Sequence, residues 1–588
     1  MASSWRTRNT SQLGTYTTLA QTEDPHGEAP PGEHSSGDPP APLPAALYIG
    51  STPTPEDLLF LPRVPDALPP GAFLVAVVEL CERFAYYGLA GPLQNYIANG
   101  PRDASGLPGA LGLGQRRATA LTNAFQLWCY VTPLLGAVVA DAWLGRYRTI
   151  KYFSAVYMAG IAVLVASSTP WSVQRGWALP GLVVAMGVVG LGTGGIKSNV
   201  SPLIAEQVRS TNAFVEVRRG KRVVVDPEVT VQRIYMVFYM CVNVGSVSAI
   251  ATTMLELHVG FWSAFLLPFV MFCVGYAVLV AGKDRYVIKP PQGGVIGSCF
   301  RALWIAARNG FDIDKARPSA LRQRVSWDDT FIDELKSALT ACKIFLFFPI
   351  YWVAYSQMLN NFVSQAGQMQ LHGLPNDILP NIDPITIILL VPVMDRLIYP
   401  FIRTRLHLAF TPTTRITLGF LTAALAMLYA GALQSHIYSS PPCFSSPLSC
   451  PDALTPGAPA APNTVHVAWQ TPAYVLVALS EILASITGLE VAYARAPAQM
   501  KSFIMSLFLL TSAGGSALGV LVAPLARDPW LGWVYCGLGV LAAGTGGLFW
   551  WTFRGLEEEE AKGVVEEGFE LESRSSVGEE DGAVLKGV

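Results

Sequence analysis

The sequence predicts an all-α membrane protein of about twelve transmembrane helices, arranged as two six-helix bundles. Three observations predict it. Of the 588 residues, 51% are hydrophobic and only 14% charged, where a soluble globular chain carries about 25% charged residues. The mean hydropathy is positive, at +0.37. Apolar stretches of the ~20 residues needed to cross a hydrocarbon core recur along the chain, with one long polar interruption halfway.

Taken in order, the stretches lie near 71–97, 118–140, 150–169, 179–203, 233–254 and 259–282, then near 342–362, 384–402, 414–434, 470–494, 502–525 and 530–553. The division that follows is a first bundle over 70–282, a linker over 283–340 and a second bundle over 341–555. Residues 1–69, rich in Pro, Gly, Ser and Glu, read as a disordered tail. They show no basic start followed by an apolar core, so no cleaved signal peptide is expected. Residues 556–588, with the run Glu557 to Glu560, read as a second, acidic tail.

Lys and Arg concentrate in 143–151, 205–233, 283–343, 396–415 and 495–501, whereas the segment 435–469 has none. The positive-inside rule then puts both tails and the linker in the cytoplasm and 435–469 outside. Cys443 and Cys450 share that Pro-rich outer loop and are a disulfide candidate there. The remaining cysteines have no metal-type spacing, so no metal is expected. A net charge of −2 supplies no basic face for nucleic acid. No GxxxxGK[ST] phosphate loop occurs, so ATP-driven pumping is not supported, and the chain is not expected to be an enzyme.

The informative residues are charges at membrane depth. A Lys or Arg at the centre of a span costs about 2.5–3.5 kcal/mol on insertion scales, so such residues face a partner or a wet cavity. Only Arg83 and Lys197 fall well inside a span. Glu79, Glu82, Arg83, Tyr86 and Tyr87 occupy i, i+3, i+4, i+7 and i+8, one stripe of a helix. Two carboxylates beside one guanidinium leave one acid able to take a proton; the alternative is a structural ion pair. Lys197 follows the glycines of Gly192-Thr193-Gly194-Gly195, which permit close helix approach or local unwinding. Its alternative is snorkelling to a surface. Glu481 is the clearest acid in the second half, and Lys197 and Arg83 are the intramembrane cations open to it. Glu490 reads as structural, near Arg495 or Lys501.

At these residues the chain resembles the proton-dependent oligopeptide transporter (POT) family of the major facilitator superfamily, and its fungal branch in particular. Glu79–Gly88, Gly192–Gln207 and Phe238–Ser246 carry the resemblance, with the turn Gly136–Arg146, the segment Asn360–Met369 and Ser480–Ser502 in support. It covers about 70–555. It implies the major facilitator fold and alternating-access symport of di- and tripeptides with protons. It also implies an integral protein of the plasma-membrane bilayer, working as a monomer without cofactor. Position by position, it implies proton coupling at Glu79, Glu82 and Arg83, and peptide-carboxylate binding at Arg83 and Lys197. It implies ammonium binding at Glu481 aided by Asn243, and pocket tyrosines at Tyr86, Tyr87 and Tyr130. Gating falls to Lys197, Glu481 and Phe508. Many bacterial members have a basic residue at the position of Ala90, an acid at that of Ser356 and Asn at that of Asp383; this chain departs at all three. The rival expectations are symport of another solute, such as nitrate or a conjugated metabolite, and a peptide receptor that signals without transport.

Overall fold

The computed structural model describes residues 52–555, apart from 55–56, 58–59, 102–105, 209–211, 219, 292–294, 322–324, 405–410, 455–458 and 495–500. The acidic tail and the first 51 residues lie outside the described residues.

The first bundle contains α1 (Pro70–Ala98), α2 (Gln115–Val139, extended by a π turn Ala140–Leu144), α3 (Arg146–Ser167) and α4 (Ala178–Lys197). It is completed by α5 (Pro227–Ser246, resuming as Ser248–His258) and α6 (Phe261–Ala281). The second bundle opens with α7, a broken span over Cys342–Gly367. Next come α8 (Ile382–Val393, continued through a π turn to Thr404) and α9 (Pro412–Ser439). Then follow α10 (Thr471–Ser480, a π turn Glu481–Ile486, then Thr487–Ala494), α11 (Lys501–Val522) and α12 (Leu531–Phe553). Among the described residues, ten of these are long and apolar enough to cross a membrane by length and composition. The other two are α1, whose apolarity is cut by Glu79, Glu82 and Arg83, and α8, whose apolar part Leu379–Val393 is short. The two bundles thus form the twelve-helix architecture expected.

Glycines let the helices approach. A methyl built on Gly194 of α4 would lie 2.5 Å from the Thr132 backbone of α2, and one on Gly136 of α2 would lie 2.5 Å from the Gly194 carbonyl. Gly192-Thr193-Gly194-Gly195 therefore serves close packing, and α4 stays helical through Lys197. Because the clash is with backbone, Gly194→Ala forces the helices apart. It is expected to cost about 1–3 kcal/mol, read as a lowered melting temperature of the purified protein.

The boundary of the N-terminal tail differs from the sequence reading, and the linker gains defined helices. Residues 63–69, assigned to a disordered tail, are ordered: strand β1 (Arg63–Val64) pairs in parallel with β3 (Lys221–Val225), which pairs antiparallel with β2 (Phe214–Arg218). The Val- and Phe-rich segments Phe214–Arg218 and Lys221–Val225 form the two arms of a hairpin, with Gly220 between them at φ +74. Ion pairs then hold the preceding chain against it: Arg63–Asp226 at 3.3 Å, Arg218–Asp66 at 3.2 Å and Arg222–Asp57 at 2.9 Å. The polar linker is also built. Helices Val295–Arg308 and Asp329–Ala341 bury Cys299, Ala302, Ile332, Leu335 and Ala338 in a core shared with Phe348, Phe420 and Phe549 of the second bundle.

The bundles meet through side-chain hydrogen bonds at the end where α1 finishes and α2 begins. Gln94 Nε2 donates to Ser364 Oγ at 3.2 Å, and Thr119 Oγ1 to Asn361 Oδ1 at 2.9 Å. Asn95 and Asn376 exchange amide hydrogen bonds at 2.7 and 2.9 Å. The loop after α9 sits at this same end, where Gln370 bonds the backbone of Val465 and Val467. That loop carries the disulfide Cys443–Cys450.

Candidate functional site

Three buried side chains of α1 form the centre of the site. Arg83 Nε lies 3.0 Å from Glu79 Oε1 and Nη2 lies 2.5 Å from Glu82 Oε2. Helical spacing of i, i+3 and i+4 puts both carboxylates within reach of one guanidinium. All three side chains are at most 7% exposed. Glu82 Oε1 is enclosed with no hydrogen-bond donor. Gly245 of α5 makes room for the group, since a methyl there would lie 2.7 Å from Arg83 Cβ.

Tyr86, one turn on, links this group to α4. The Arg83 guanidinium stands 5.6 Å from the Tyr86 ring centroid, and Lys197 Nζ stands 4.9 Å from the same ring and 4.0 Å from that of Tyr130 on α2. A cation on ring faces is held where water is scarce. Lys197 is also close enough to Glu79 for its charge to act on that acid. Tyr86, Tyr130, Lys197 and the Glu-Glu-Arg group are thus one cluster. Tyr87 stands between this cluster and the second bundle, feeling Arg83, Tyr130, Glu481 and Asp383.

Across from it, Glu481 opens the π turn of α10, with Tyr355 of α7 beside its carboxyl group. Asp383, in the first turn of α8, is 4% exposed and acts on Glu481. Glu481 Oε2 and Asp383 Oδ1 have no donor among the described residues. The second bundle therefore presents two carboxyl groups, not one. Asn243 of α5 spends its amide on the Tyr239 carbonyl at 2.9 Å, and Tyr239 lies within the field of Glu481 and Asp383.

Lys197 and Glu481 form no ion pair. Each is occupied within its own bundle. Phe508 packs in an aromatic cluster with Phe345, Phe348 and Trp352, at centroid distances of 5.4, 5.8 and 6.0 Å, while Trp352 Nε1 donates to Thr511 at 2.9 Å. Ser356 bonds its own helix at Val353 and Ala90 carries no charge, so no ion pair joins these two positions. Glu490 pairs with Arg415 at 3.5 Å; Arg495 and the side chain of Lys501 lie outside the described residues. Sequence reading missed Tyr355 and the amide contacts between bundles, because nothing in a single chain says which residues face the other bundle.

The family model described as POT family matches residues 147–534. The chain belongs to the POT family. Among POT family relatives, peptide transporter PTR_B of Candidozyma auris is 50% identical over 507 residues, covering 86% of each chain. Peptide transporter PTR2 of Saccharomyces cerevisiae is 45% identical over 510 residues, covering 86% of this chain and 83% of the relative. The crystal structure of the POT family transporter PepTSo shares the fold at a TM-score of 0.66 and 22% identity, covering 84% of this chain and 99% of that one. A POT family transporter crystallised with 5-aminolevulinic acid matches at a TM-score of 0.61 and 18% identity, covering 82% of this chain and 96% of that one.

Proposed function

We propose that this POT family chain imports di- and tripeptides together with protons, moving between outward- and inward-open arrangements of its two bundles. The observation that carries the reading is charge polarity across the interior. One bundle offers Arg83 and Lys197, and the other offers Glu481 and Asp383. A zwitterionic peptide presents a carboxylate to the first pair and an ammonium to the second. Tyr86, Tyr87 and Tyr130 line the space between, where phenols bond a peptide backbone. Nitrate or another plain anion would leave Glu481 and Asp383 without a counter-charge, which disfavours that cargo.

Coupling follows from the same charges. Glu79, Glu82, Arg83 and Lys197 sum to zero when all are ionised. Adding a peptide carboxylate makes the buried group negative, and one proton on Glu79 or Glu82 restores neutrality. Peptide and proton thus favour each other's binding, and their joint occupancy lets the bundles rock about the central site. The end sealed by Gln94, Asn95 and Thr119 is the outer one in this reading, with both termini cytoplasmic, in the plasma membrane, as a monomer. No cofactor besides the coupling proton is used.

The test is peptide-driven acidification of liposomes holding the purified protein. Di- and tripeptides should carry protons inward without ATP; a peptide receptor would bind them with no proton entry. The disulfide is a side issue for transport. Cys443→Ser is expected to loosen the loop by about 2 kcal/mol of closure entropy, seen as faster limited proteolysis over 440–470. Dipeptide uptake should stay within twofold of the unaltered protein.

A further inference from the structure

Away from the central site, two acids meet where the bundles close. Glu256, near the end of α5, and Asp377, in the turn before α8, lie within hydrogen-bonding reach of each other. They are 3% and 1% exposed. Glu256 Oε2 and both oxygens of Asp377 are buried without a well-formed hydrogen bond, the Asn95 amide being the nearest side-chain donor. Asn95 Nδ2 donates to Glu256 Oε1 at 3.0 Å and to Asn376 Oδ1 at 2.7 Å, so the acids sit beside the amide pair that joins α1 to the second bundle.

What faces them is uncharged. From α1 comes Asn95, and from α10 comes Tyr474, whose hydroxyl reaches the Met358 carbonyl at 3.5 Å. On α5 itself His258 points to solvent. In the 368–378 segment His372 stacks on His466. No Lys, Arg or His pairs with either acid among the described residues. Two ionised carboxylates cannot share a dry contact without a cation; one proton between them turns repulsion into a hydrogen bond. Burial also holds the Asp377 carboxyl above the usual carboxylate range.

We propose that Glu256 and Asp377 form a second proton-binding site, which latches the closed contact between the bundles at this end. With the proton bound, the acids hold together and the Asn95–Asn376 pair forms. Without it, they repel and the contact opens. The latch takes its proton on closing and returns it on opening, so it gates access without adding to the protons carried. The sign is that of a carboxyl stabilised in its neutral form: closure is full at acid pH and is lost as pH rises. Outside acidity would then favour closure after peptide has entered. This extends the transport reading above, but the latch itself needs no substrate.

Hydrogen-exchange mass spectrometry on the whole protein in nanodiscs, without peptide, tests it. Rates at pH 5.5 and 8.0 are corrected for the intrinsic pH dependence of exchange. In the unaltered protein, protection of peptides covering 94–99 and 374–381 should fall at least tenfold on raising the pH. In Asp377→Asn, and separately in Glu256→Gln, the neutral amide should keep these segments protected at both values. Equal protection at both pH values in the unaltered protein overturns the latch, as does an unaltered pH response in a folded variant of either kind. Because no peptide is present, failure of the peptide reading would leave this result untouched.

Discussion

Lys197→Ala and Glu481→Ala should each cripple dipeptide uptake. Each removes a charge that one end of a zwitterionic peptide would need, and truncating one partner of a buried charge pair costs about 2–5 kcal/mol. At 1.4 kcal/mol per factor of ten, the loss is on the order of 30- to 4,000-fold in uptake at low peptide concentration. The structure adds a finer expectation for reversals. Had the two residues been paired across the interior, exchanging them would have rescued folding. They are not. Lys197 stands among Tyr86, Tyr130 and Glu79, so Lys197→Glu places a third acid beside Glu79 and Glu82. Glu481 stands by Asp383, so Glu481→Lys gives that acid a counter-charge. The second change should therefore melt well above the first, and the double exchange should melt no higher than Glu481→Lys alone. Neither should transport. Radiolabelled dipeptide uptake and melting curves on purified variants decide it. Near-normal uptake in either alanine variant would remove both residues from the site.

How much of this was legible without coordinates follows from which forces are local. The spans were readable because about 20 apolar residues are needed whatever the neighbours do. The α1 stripe was readable because i, i+3 and i+4 lie on one helical face, and Glu79, Glu82 and Arg83 meet as that spacing requires. The broken α7 was less so. Its interruption at Asn360, whose side chain caps the next turn by accepting from the Asn361 backbone at 2.6 Å, has no apolar signature. The hairpin 214–225 was within reach, since Phe214, Val215, Val217 and Val223 to Val225 around Gly220 favour strand. The basic residues of the same loop carry the orientation signal and mask that strand pattern. The contacts between bundles were beyond reach. Asn95 and Asn376 are 281 positions apart, and only the packing of twelve helices brings them together. The companion acid of Glu481 was visible as Asp383, yet its position beside Glu481 depends on how α8 and α10 pack.

Glu82→Gln should separate binding from pumping. Arg83 holds both acids of α1, and Glu82 Oε1 is enclosed without a donor, a place where a proton can settle without displacing an existing bond. Glutamine at 82 has the size of the protonated acid and no ability to lose the proton. Arg83 would keep its contact with Glu79, so folding should suffer little, with melting within a few degrees of the unaltered protein. The group formed with Glu79 and Lys197 would be permanently in the state that accepts a peptide carboxylate. Peptide should still bind and exchange, so counterflow between equal peptide pools should persist within a few-fold. Accumulation against a peptide gradient should vanish, because no proton is released on the inside to make the cycle directional. Raising the external acidity from pH 7.5 to 5.5 should then no longer stimulate uptake, whereas it should in the unaltered protein. Undiminished, acid-stimulated accumulation by Glu82→Gln would sink the idea that this carboxylate titrates during transport and would leave the cluster a structural ion-pair group within α1.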